Sequence, residues 1–100
     1  MRTILFLLLT GGLLGAADYR PGPDAQRRDG VPRGKVIQGA WNDCKAFPGT
    51  TRSYWVYIPT QYDPKLPANL MVFQDGGGFV RENGHTRVPT VFDNLIHRKE

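Results

Sequence analysis

The sequence predicts an α/β fold that opens with an antiparallel strand pair, and three observations predict it. Residues 51–58, TRSYWVYI, alternate with period two: Tyr54, Val56 and Ile58 fall on one face, Trp55 and Tyr57 on the other. Residues 69–74, NLMVFQ, are apolar without alternation, the pattern of a strand buried on both faces, and run directly into Gly76, Gly77 and Gly78. Val91, Phe92, Leu95 and Ile96 then fall at helical spacing on one stripe. The expected order is strand, strand, buried strand, glycine loop, helix.

The chain starts with MRTILFLLLTGGLLGAA, a charged residue at position 2, a short apolar run and small residues at Gly15 and Ala17. This is the layout of a secretory signal peptide cut before Asp18. The run is interrupted by Gly11 and Gly12, far short of the roughly 20 apolar residues that span a bilayer. A secreted or periplasmic protein, off the membrane after cleavage, is the expectation. No cysteine stands at the cut to carry a lipid, because Cys44 is the one cysteine of the chain. A lone cysteine forms no internal disulfide, so Cys44 reads as a small, partly buried filler.

Residues 18–34, DYRPGPDAQRRDGVPRG, are dominated by proline, glycine and charge, and read as an extended, poorly ordered lead-in. Residues 35–41, KVIQGAW, are rich in strand formers and bounded by turn residues. The Pro48-Gly49 reversal separates them from residues 51–58, so the two runs should pair antiparallel. Three prolines between 59 and 67 mark a surface loop before the third strand. Pro89 suits the first turn of the helix, and His97, Arg98 and Lys99 place positive charge at its end, where the helix dipole favours it.

The formal net charge is +4, from 13 basic and 9 acidic residues spread along the chain. Arg27-Arg28 is the longest basic run and reads as solvated tail charge, a poor footprint for nucleic acid. No pair of closely spaced cysteines or histidines suggests a metal, and no cofactor is expected. A domain of this length buries only about 60% of its unfolded surface, leaving little stability to spare.

The glycine run is the chemical signal. In open α/β sheets ligands approach the carboxyl ends of the strands, and glycines there let backbone N–H groups reach a negative oxygen unobstructed. A phosphate loop would need a lysine and a Ser/Thr just after the last glycine, whereas Phe79, Val80, Arg81 and Glu82 follow here. The oxyanion of an acyl-transfer intermediate suits the pattern better.

The ordered set of motifs in PGTTRSYWVYIPTQYDPKLPANLMVFQDGGGF resembles the amino-terminal part of the enterochelin-esterase and esterase-D-like branch of the α/β-hydrolases. The resemblance runs from residue 34 to residue 100. It implies the N-terminal part of an α/β-hydrolase sheet over residues 35–100, with a serine mechanism on carboxylic esters. Carried over by position, the N–H groups of Gly76 and Gly77 match the oxyanion-hole loop; Asp75, Gly78 and Phe79 match substrate-binding positions, with Gly78 giving clearance and Phe79 a pocket wall. Asp75 stands where many lipases have a histidine, a departure shared by the esterase branch.

None of a hydrolytic triad is found in these residues. A nucleophile would sit in Gly-x-Ser-x-Gly, followed by an acid and a histidine. Ser53 is the one serine and lies in mid-strand, while His85 and His97 read as structural or solvated, and Asp63 and Asp93 as turn and helix-surface residues. The expectation is the front portion of a larger secreted serine esterase, inactive by itself, whose partner is a small-molecule or polysaccharide-linked ester. The rival expectation is a small secreted β-rich binding module that presents Trp41, Tyr54, Trp55 and Tyr57 as an aromatic face to sugar or protein.

Overall fold

A computed structural model of the chain describes residues 18–100, and the expected signal peptide, residues 1–17, lies outside the described residues. Helix and strand are mixed: a 3-10 turn at Pro23–Ala25, strands β1 (Lys35–Trp41) and β2 (Arg52–Ile58), a one-turn helix α1 (Gly76–Phe79) and helix α2 (Val88–His97). No helix among the described residues is long and apolar enough to cross a membrane.

β1 and β2 form a two-stranded antiparallel sheet in which Lys35 faces Ile58, Gly39 faces Tyr54 and Trp41 faces Arg52. The alternation read from residues 51–58 fixes this register, since a slip of one residue would exchange the two faces. One face turns Trp55 and Tyr57 toward the helices: the Tyr57 ring meets Phe92 of α2 edge-on at 5.7 Å, and Trp55 lies against α1. The opposite face, with Ile37, Trp41, Tyr54 and Val56, is exposed.

Residues 69–74 do not form the expected third strand. They adopt no regular structure, and Leu70 is 88% exposed, with Met71 and Val72 also open to solvent. An apolar run becomes a buried strand only when hydrogen-bonded neighbours and covering layers surround it. No described strand lies alongside this one, and the segment instead forms a wall of an open cleft.

The lead-in is also different from its expectation. Pro23 sets the first turn of the 3-10 helix, Ala25 is buried, and the segment packs along α2 as a strap. Its composition has no apolar period because polar bonds hold it. The Asn94 side-chain amide donates to the carbonyl oxygens of Asp24 at 2.7 Å and Gln26 at 2.9 Å. Arg98 bridges to Asp24 at 2.8 Å and to Glu100 at 3.0 Å; its hydrogen bonds hold both carboxylates below their ordinary pKa range, and theirs hold the guanidinium above its own.

α2 therefore uses two stripes. Thr90, Asp93 and Asn94 are buried, and Asp93 and Asn94 bond to the strap, while the buried Pro89 and the half-buried Phe92, Leu95 and Ile96 line the cleft.

Candidate functional site

The cleft encloses about 1030 Å³ between β2, residues 69–77, α1 and α2. Its wall is mostly apolar. Phe73 stacks obliquely on Phe79 at 5.0 Å and approaches Phe92 at 6.2 Å, so three rings from three segments form one continuous surface. Asp75, Gly76, Gly77 and Phe79 all line this space, together with Trp55. Of the five residues singled out from the sequence, only Gly78 lies outside the lining.

The local fold of the glycine run differs from the expected open loop. Asp75 takes a left-handed conformation, φ 56° and ψ 37°, which turns the chain sharply after residues 69–74, and Gly76–Phe79 then make one helical turn. Among non-glycine residues, Asp tolerates this conformation comparatively well. A Cβ on Gly77 would stand 3.2 Å from the Trp55 ring, and one on Gly76 would stand 3.6 Å from it. Bare backbone at Gly77 lets the turn lie close against the indole.

Helical turns leave their first N–H groups without an internal acceptor. The Gly78 N–H donates to Asp75 O at 3.1 Å and the Val80 N–H to Gly76 O at 3.2 Å. The N–H groups of Gly76 and Gly77 have no acceptor among the described residues. Two free donors thus stand at the wall of an apolar cleft beside an aromatic ring, an arrangement suited to a ligand oxygen that carries negative charge.

Of the other titratable groups, Arg52, Tyr54, Tyr57 and Glu100 also border the cleft. Asp93, expected on the helix surface, is buried at 3% exposure and is the polar centre of the molecule. Its carboxylate accepts from Arg27 Nη1, from the Gly34 N–H and from the Tyr57 hydroxyl, each at 2.8 Å. Arg27, read as tail charge, also bridges to Glu82 at 3.0 Å. Burial, and the neighbouring Asp93 carboxylate that accepts its hydrogen bond, push the Tyr57 phenol well above its ordinary pKa. The histidines have no catalytic company: His85 meets Tyr19 edge-on at 5.6 Å and His97 is exposed at the end of α2. Ser53 sits within β2, and Asp63 closes a turn by accepting from the Lys65 N–H at 2.9 Å. Among the described residues no group of three His, Cys, Asp or Glu side chains is placed to hold a metal ion. Cys44 is a buried free thiol.

No family model, curated protein or solved structure matches this chain.

Proposed function

We propose that this chain is the N-terminal segment of a secreted serine esterase of the α/β-hydrolase class, and that its glycine turn supplies oxyanion-hole donors for hydrolysis of a carboxylic ester. The observation that carries the reading is the pair of unaccepted N–H groups of Gly76 and Gly77 at the wall of the aromatic cleft. In such a site Phe79 and Phe73 would pack against the acyl or alkoxy group, while the two N–H groups stabilise charge on the carbonyl oxygen as it becomes tetrahedral. The nucleophile, its histidine and its acid would come from polypeptide outside these residues. The donors alone leave an ester untouched.

The test is to read the coding DNA across the codon for Glu100 and to assay the polypeptide it encodes against a short p-nitrophenyl ester. The expected outcome is a frame that reaches a Gly-x-Ser-x-Gly elbow and an esterase whose kcat falls about 10²- to 10³-fold when Gly77→Pro removes one donor. A frame without the elbow, or a variant of undiminished kcat, overturns the reading.

The exposed sheet face favours a second reading. Trp41 is 51% exposed and Tyr54 47% exposed, on the face away from the helices, a platform on which a sugar ring or an apolar protein surface would stack. Quenching of tryptophan emission by an oligosaccharide, lost in Trp41→Ala, is the result that would move the assignment to a binding module.

A further inference from the structure

The glycine turn has little in itself to hold its shape. Three of the four residues of α1 are glycine, and a single turn of helix is unfavourable alone, the more so for the residue that loses most freedom on ordering. Asp75, which leads into it, makes no side-chain cap bond. The turn therefore takes its place from what it rests on. At one end the Phe79 ring stacks on Phe73 at 5.0 Å. At the other, where Gly76 and Gly77 carry their free N–H groups, the neighbour is Trp55.

One part of the Trp55 side chain makes this contact. A Cβ on Gly76 would stand 3.6 Å from Cε3, and one on Gly77 would stand 3.2 Å from Cη2, 3.6 Å from Cζ3 and 3.8 Å from Cζ2. All four atoms belong to the six-membered ring of the indole. An added Cβ on Gly78 would meet nothing within 4 Å, so the ring borders the two residues with free donors and leaves the third glycine alone. Period two along β2 puts Trp55 on the same face as Tyr57. The Tyr57 ring meets Phe92 and its hydroxyl donates to Asp93, which ties the strand beneath the indole to α2.

We propose that Trp55 is a positioning residue for the oxyanion donors: its six-membered ring is the shelf that fixes the Gly76 and Gly77 N–H groups at the cleft wall. This rests on the esterase reading of the same turn. Donors stabilise a developing oxyanion fully only when they are oriented beforehand. Trp55 needs no contact with the reacting atoms for this role. Its effect belongs in kcat, because the donors are called on in the transition state more than in the bound ester.

The test is kinetic, on the polypeptide encoded across the codon for Glu100, with the p-nitrophenyl ester as substrate. Active sites are counted with a p-nitrophenyl phosphonate, so that rates refer to folded enzyme. Trp55→Ala should lower kcat at least about fivefold, and a boronic acid that mimics the tetrahedral intermediate should bind more weakly by about the same factor. Gly77→Ala keeps its N–H but pushes a methyl group against the ring. It should also lower kcat, and that loss should shrink in the double variant, where the ring is gone.

The outcomes separate the two ideas. An unaltered polypeptide without esterase activity overturns the esterase reading and the positioning role with it. An active enzyme in which Trp55→Ala lowers kcat less than about fivefold, whether or not KM rises, overturns the positioning role and leaves the esterase reading standing. Additive losses in the double variant do the same. If Trp55→Ala does not fold, Gly77→Ala decides, and an undiminished kcat overturns the role.

Discussion

Asp93 ties three separate parts of the chain to one carboxylate. Its partners Tyr57, Gly34 and Arg27 lie 36, 59 and 66 positions away. Helical periodicity placed α2 in the sequence, but it could not mark Asp93, because a carboxylate on a helix is normally solvated and nothing local distinguishes one that is buried. Replacing it by alanine strands the Gly34 N–H and the Tyr57 hydroxyl and leaves Arg27 without its closer anion. The expected loss for Asp93→Ala is about 3 kcal/mol, toward the lower end for a broken buried pair because Arg27 is partly exposed. The urea midpoint of unfolding measures it.

At the level of elements, β1, β2 and α2 were legible because each carries its own pattern: period two for the strands, spacing of three and four for the helix, and turn residues between. The third strand was not, since its apolar run specifies burial but not the neighbour that supplies it. The strap was not either, because it is held by side-chain bonds to α2 and has no amphipathic period of its own. The glycine run pointed to bare backbone near a ligand, and the structure adds the indole as a second reason for it. These glycines separate by substitution. Gly78 has open space around an added Cβ and a φ outside the positive range. Gly78→Ala should therefore stabilise α1 by about 0.5–1 kcal/mol. Gly77→Ala meets the Trp55 ring at 3.2 Å, and a close contact of that kind offsets or reverses the same gain. Thermal unfolding of the two variants side by side resolves the difference.

The described residues have little apolar interior. Among the described residues the buried hydrophobic side chains are Ala25 and Cys44, so strap, sheet and helix depend heavily on the Asp93 cluster. This makes alkaline pH a lever on the entire fold. Tyr57 has a raised pKa in the folded chain, so the folded state holds its proton more tightly than the unfolded one. Its contribution is complete below the unfolded value of about 10 and is lost as pH rises through the folded value. The melting temperature should fall as pH is raised past about 10. Tyr57→Phe should be less stable at neutral pH, with a shallower alkaline decline, a comparison that calorimetry across the pH range makes directly.

The contact between Gly77 and Trp55 has an optical consequence. The chain has two tryptophans: Trp41 lies open on the outer face, whereas Trp55 is covered by the glycine turn and borders the cleft. An indole emits at longer wavelength in water than against protein, so the two contribute separable colours. Any solute or ester that enters the cleft changes the surroundings of one fluorophore and leaves the other alone, which makes the protein its own occupancy gauge without a label.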